Sequence, residues 1–140
     1  MMKRTISIMI FTITVLTSCN ENRSSEVSES PQITMNLYYT GTDGNARRFV
    51  EEMESSGTAD AIRNEEGNVR YYYFISLSDP ETVLLIDSWV DQKALDAHHE
   101  TPMMQTIIDL REKYDLRMTA ERYIQDVQGI PQADQAYIRE

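Results

Sequence analysis

LLIDSWVDQKALDAHHETPMM, residues Leu84–Met104, is the stretch on which the fold of this 140-residue chain turns. It holds the only tryptophan, Trp89, and the only two histidines, His98 and His99. An apolar run reaches Trp89, a polar turn follows, and the histidines then fall on what reads as a short helix. Asp91 suits the N-cap of that helix, which extends to about Glu100 with Ala94, Leu95 and His98 on one side. Thr101-Pro102 is a second start signal, a capping hydroxyl followed by proline at the first helical position. The stretch predicts a strand end and two successive helices around the wall of one cavity.

Upstream, Thr82–Trp89 alternates: Val83, Leu85, Asp87 and Trp89 share one face, Thr82, Leu84, Ile86 and Ser88 the other, and both are largely apolar. Leu77–Glu81 is a loop of hairpin length, and Val69–Ser76 (VRYYYFIS) is an aromatic strand before it. Tyr71 and Tyr73 point one way along it, Tyr72 and Phe74 the other. Ile33–Tyr39 (ITMNLYY) alternates likewise and is followed by turn residues Thr40–Gly44. Asn45–Glu66 carries Ala46, Phe49, Val50 and Met53 at helical spacing, breaks near Ser55–Thr58, resumes at Ala61 and Ile62, and closes on Gly67 as a left-handed cap. Beyond the histidines, Met103, Met104, Ile107, Ile108 and Leu110 extend an apolar helix face to Tyr114. Leu116–Asp126 predicts a fourth strand, and Gly129–Glu140 has no clear period.

Strand, helix, strand, strand, helix, strand is an α+β order. With right-handed crossovers it gives a ferredoxin-like βαββαβ plan, a four-stranded antiparallel sheet with both helical segments on one face. Leu84, Ile86, Tyr72 and Phe74 would leave the other face apolar and wet, which predicts a symmetric homodimer packed sheet to sheet.

The ends of the chain are of another character. Residues 1–18 begin with Lys3 and Arg4 and continue through the uncharged run Thr5–Leu16, too short for the roughly 20 residues of a membrane span but suited to a signal-peptide core. Leu16-Thr17-Ser18-Cys19 resembles a bacterial lipobox, with Cys19 the lipidated residue. Cleavage there would remove Lys3 and Arg4 and take the formal charge from −10 to −12. Residues 19–32 (CNENRSSEVSESPQ) read as a flexible tether, 33–126 as the folded domain and 127–140 as a C-terminal arm or tail. The expected localisation is a lipid-anchored domain outside the cytoplasm, periplasmic or at the cell surface.

Thirteen basic residues against 23 acidic ones leave no basic stripe for nucleic acid. A single cysteine excludes an internal disulfide and a cysteine-based metal site. There is no glycine-rich phosphate loop and no G-x-S-x-G elbow. Adjacent on a helix, His98 and His99 point about 100° apart and cannot easily share one metal. What remains is an aromatic-rich cavity with one or two titratable groups. Trp89 offers a flat wall, and His98, facing inward, could take a proton from a phenol or hydroquinone, while His99 faces solvent. The competing reading makes Trp89 core and His98 a satisfied structural histidine. Asp87, buried beside Trp89, needs a partner, for which Arg70, His98 and a helix N-terminus are candidates. Tyr71 and Tyr73 are assigned to the cavity and the opposite aromatic set to the dimer face. Met103 supplies a soft side chain suited to a flat ligand.

Glu66-Gly67-Asn68 before the second strand, Asp87-x-Trp89 at the end of the third, then Asp91, Ala94-Leu95, His98 and Thr101-Pro102 together resemble the antibiotic biosynthesis monooxygenase family, in particular its quinol-monooxygenase-like branch. The resemblance covers about Ile33–Asp126. It implies a dimeric α+β barrel and oxygenation of quinol-like or polycyclic aromatics with no metal or flavin cofactor, the substrate anion supplying electrons to O₂. It further implies that Trp89 and His98 line the cavity, with Asn68 near its rim. Two departures stand out. Met103 occupies a place where some relatives have histidine, and Asn36 falls on the strand face unsuited to haem degradation. Three functions are thus in view: a cofactor-independent monooxygenase, a non-catalytic lipid-anchored module binding a hydrophobic small molecule, and a haem-binding or haem-degrading relative.

Overall fold

Alternation along each strand decides which side chains meet the helices. The computed structural model describes residues 30–139, so the expectations for the signal segment, most of the tether and Cys19 lie outside the described residues. In chain order the elements are β1 (Ile33–Thr40), α1 (Asn45–Ser55), α2 (Thr58–Arg63), β2 (Asn68–Ile75), β3 (Thr82–Trp89), α3 (Gln92–His99), α4 (Met103–Lys113) and β4 (Arg117–Ile124). The strands form one antiparallel sheet in the order β2-β3-β1-β4. This is the ferredoxin-like α+β plan, with each long helical segment split in two. The first split falls at Gly57, whose φ of 78° leaves the right-handed helix at no steric cost to glycine.

Ile33 and Tyr39 of β1, Tyr71 of β2, and Val83, Leu85 and Trp89 of β3 are buried on the helix side of the sheet. All of these but Val83 form one cluster with Phe49 and Met53 of α1, Ile62 of α2, Leu95 of α3, and Ile107 and Leu110 of α4. The Phe49 ring lies against Tyr39 at 4.9 Å, tilted by 38°, and meets Tyr73 edge-on at 6.3 Å. Each large apolar side chain fully buried here contributes about 1.5–3 kcal/mol relative to exposure.

Among the described residues no helix of α1–α4 packs on the opposite face of the sheet. Tyr72 and Phe74 there are 53% and 48% exposed, and Leu84 and Ile86 half-buried between them. Asn36 lies on this side too, opposite Ile86 and Glu121 in the register. Four local features differ from expectation. The first helical segment ends at Arg63 with Asn64 as its C-cap, so Gly67 does not close the helix but turns the chain into β2. Thr101 donates its hydroxyl to the His98 carbonyl oxygen at 2.8 Å rather than capping α4, and Pro102 takes the cap position. Both follow from the tight turn between α3 and α4, where Thr101 N also donates to the His98 carbonyl. The C-terminal segment forms a short 3₁₀ helix, Gln132–Tyr137, with no buried residue.

Candidate functional site

Cooperation between two turns positions α3 and with it His98. Asp91 caps the helix, its Oδ1 accepting from Ala94 N at 2.8 Å. Gly67 lets the helix sit close: it has φ +84°, and a Cβ there would stand 2.5 Å from the Ala94 Cβ. Glycine thus answers both the left-handed backbone and the close approach. The turn carrying Glu65 is pinned by Glu65 N to Ile62 O at 3.0 Å and by Asn68 N to Glu65 O at 3.1 Å.

His98 is 4% exposed and lies over Trp89, the ring centroids 4.8 Å apart and the planes 26° from parallel. Its Nδ1 is 3.0 Å from Glu65 Oε2 and 3.2 Å from Oε1. Burial lowers the imidazole pKa, while the charge and hydrogen bond of Glu65 work the other way. A neutral His98 facing a carboxylate must carry its proton on Nδ1 and donate it to Glu65, which leaves the Nε2 lone pair free.

Asp87 is also 4% exposed, and its Oδ1 is buried with no hydrogen-bond partner among the described residues. Burial pushes its carboxyl up to about 7; the Glu65 charge adds to this, and the Trp89 indole N–H opposes it without reaching hydrogen-bond geometry. Arg70, a candidate partner from the sequence, is exposed on the open face beside Ser88 and does not pair with it. His98 has given its Nδ1 to Glu65 instead. Burial also raises the phenol pKa values of Tyr71 and Tyr73, which stay protonated, with Tyr73 donating to the Tyr71 oxygen at 3.2 Å.

A cavity of about 200 Å³ opens between the sheet and α3 and α4. Met35, Leu37 and Leu85 form its sheet side, and Leu95, Met104 and Ile107 its helix side. Tyr71, Asp87, His98 and Arg111 supply polar groups, and Met118 and Ala120 of β4 close one flank. His99, expected in solvent, is exposed yet reaches the lining, its ring 5.8 Å from that of His98. Of the residues singled out from sequence, His98, Tyr71 and Asp87 meet at this cavity. Trp89 is fully buried behind His98 rather than on the lining, Tyr73 packs against the core, and Met104 takes the place foreseen for Met103. Asn68 lies opposite Trp89, beside a β-bulge, with a buried Nδ2 that has no partner among the described residues. Two residues were not foreseen. Glu65 carries no sequence signal separating it from Glu66, and Arg111 reads as one more charge on an amphipathic helix.

The fold and site define a ferredoxin-like α+β domain with a small apolar cavity bearing one oriented histidine. Residues 32–110, more than half of the chain, match the antibiotic biosynthesis monooxygenase family, and the chain belongs to that family. Among solved structures, a candidate antibiotic biosynthesis monooxygenase from Nitrosomonas europaea superposes with a TM-score of 0.62 at 19% identity, over 71% of this chain and 95% of its own. A conserved protein of unknown function from Bacteroides thetaiotaomicron gives 0.61 at 18% identity, over 69% and 99%. SnoaB, a cofactor-independent oxygenase from Streptomyces nogalater, gives 0.54 at 16% identity, over 70% and 94%. At these identities the likeness is one of fold. No protein of curated function matches the chain.

Proposed function

We propose that this protein is a cofactor-independent monooxygenase of the quinol-monooxygenase-like kind, acting on a small quinol-like or polycyclic aromatic substrate. The observation that carries the reading is His98 at the cavity wall, with Nδ1 held by Glu65 and Nε2 left as a base. In this mechanism Nε2 removes a hydroxyl proton from a hydroquinone, and the resulting anion donates electrons to O₂. One oxygen atom enters the ring and the other leaves as water, so that a hydroquinone and O₂ yield a hydroxyquinone and H₂O. Trp89, stacked behind the imidazole, fixes its plane; Tyr71 and Asp87 offer hydrogen bonds to the substrate oxygens. Family membership supports the reaction class. Haem is disfavoured by the position of Asn36 on the open face and by a cavity smaller than the 300–1,000 Å³ of ordinary drug-sized pockets.

The half-exposed Tyr72 and Phe74 support a homodimer packed through the open sheet face. The Leu16-Thr17-Ser18-Cys19 sequence supports a lipid anchor at Cys19, in which case Cys19→Ser should move the protein from the membrane fraction to the soluble one. Among the described residues no helix is long and apolar enough to cross a membrane.

The test of the activity is oxygen uptake by the chelator-treated full chain with a panel of hydroquinones. Uptake that His98→Ala abolishes is the expected result. A change in Trp89 fluorescence on ligand addition with no oxygen consumed would replace the enzyme with a binding module.

A further inference from the structure

The two polar ends of the cavity differ in kind. Arg111 of α4 lies over the end of the sheet marked by Tyr39 and Met118, with its Nη1 3.6 Å from Met118 Sδ. Its Nε is buried and makes no hydrogen bond, and among the described residues no carboxylate pairs with it. A guanidinium stays charged under all ordinary conditions. Arg111 is half-buried, with its Nε inside and its Nη1 at the exposed edge beside Met118, so the guanidinium stands at the cavity mouth, and its planar fork matches a carboxylate in two parallel hydrogen bonds.

Asp87 stands at the other end. In the register Asp87 is opposite Met35, whereas Tyr39 is opposite Val83 and Met118. Four residues of strand therefore separate the two ends, about 13 Å of sheet. The Asp87 and Arg111 side chains reach into that span, and Met35, Leu37, Leu85 and Ile107 line it with apolar surface. The volume of about 200 Å³ leaves room for one or two fused rings. A buried, unpartnered carboxyl in its neutral form donates a hydrogen bond to a carbonyl or phenol oxygen.

We propose that the cavity takes a one- or two-ring aromatic with a hydroxyl or carbonyl oxygen at one end and a carboxylate at the other. The oxygen lies against Asp87 and His98, and the carboxylate is paired with Arg111. The inference rests on the oxygenase reading only for which end reacts; the binding polarity stands without it.

Isothermal titration of the full chain tests this with two matched ligands, naphthol and a hydroxynaphthoate whose hydroxyl and carboxylate sit on opposite rings. The acid should bind at least tenfold more tightly. In Arg111→Gln the ratio should fall to near one while the affinity for naphthol is kept, and Arg111→Lys should restore part of the preference. Equal affinities in the unsubstituted chain, a ratio untouched by Arg111→Gln, or no binding of either ligand would each overturn the proposal. A chain that binds with this preference but consumes no oxygen loses the oxygenase reading and keeps the present one. A chain that oxygenates neutral hydroquinones with no preference for the acid does the reverse.

Discussion

Glu65 Oε2 stands 3.0 Å from His98 Nδ1 across 33 residues of chain, tying the turn before β2 to the last turn of α3. The bond selects the imidazole tautomer and fixes which nitrogen looks into the cavity.

Removing that carboxylate should impair the reaction without emptying the cavity. Glu65→Ala is expected to lower kcat for oxygen uptake at least on the order of ten- to a hundredfold with little change in KM, as loss of a partner that orients a histidine does elsewhere. Glu65 acts to raise the His98 pKa against burial. Its loss should therefore move the acid limb of the kcat/KM profile to lower pH. Nitrogen NMR of the imidazole should show the two tautomers mixing in the variant, a readout a merely structural role would leave alone.

Asp87 makes stability depend on pH in a direction opposite to the usual carboxylate. Its folded pKa of about 7 is above its ordinary value of 3.8, so its contribution is complete below about 4 and is lost as pH rises through 7. His98, with a lowered pKa, contributes stability that is present above its ordinary value and lost as pH falls through the folded one. Asp87→Asn isolates the first effect, since asparagine is neutral throughout. Between pH 5 and 7.5 the variant should gain about 2 kcal/mol relative to the unsubstituted chain in denaturant titrations. A constant difference would mean that Asp87 is ionised in the fold.

Gly67→Ala should be costly for two reasons that a control can separate. The left-handed backbone disfavours any side chain, and the new Cβ would stand 2.5 Å from that of Ala94. A loss of about 2–4 kcal/mol is expected in thermal or chemical unfolding. Gly57→Ala has a similar φ of +78° but nothing within 4 Å, and should cost only about 1 kcal/mol.

The open sheet face gives a further outcome. Tyr72→Glu combined with Phe74→Lys places charge in the centre of the proposed dimer contact and should yield a monomer by sedimentation. If the unsubstituted chain is already a monomer at all concentrations, the dimer proposal fails.

Much of this was legible because strands and caps are local. The period of two sorted Tyr71 and Tyr73 from Tyr72 and Phe74, and the structure puts the first pair on the helix side and the second in the open. Asp91 caps α3 for reasons contained in a few residues, and Gly67 is left-handed as its type allows, though it serves the turn into β2 and leaves the end of α2 to Asn64. The inward turn of His98 followed from Ala94 and Leu95 on the same helix face. What escaped was non-local or depended on a helix phase. Glu65 meets His98 only once β2 and α3 have docked. Met103 and Met104 differ by about 100° around α4, so a small shift in where that helix starts decides which one meets the cavity. Arg111 reads as an ordinary surface charge until β4 brings Met118 beside it at the cavity edge.

All eight residues of β4 remain exposed although its backbone pairs with β1 along its whole length. A strand held by main-chain hydrogen bonds and little side-chain burial detaches at a lower free energy than the strands between which the core is built. Amide hydrogens should therefore exchange fastest in β4 and slowest in β1 and β3. Since Met118 and Ala120 also flank the cavity, the cheapest opening fluctuation of the sheet is the one that uncovers the cavity, and the rate of ligand escape inherits the fraying rate of its weakest strand.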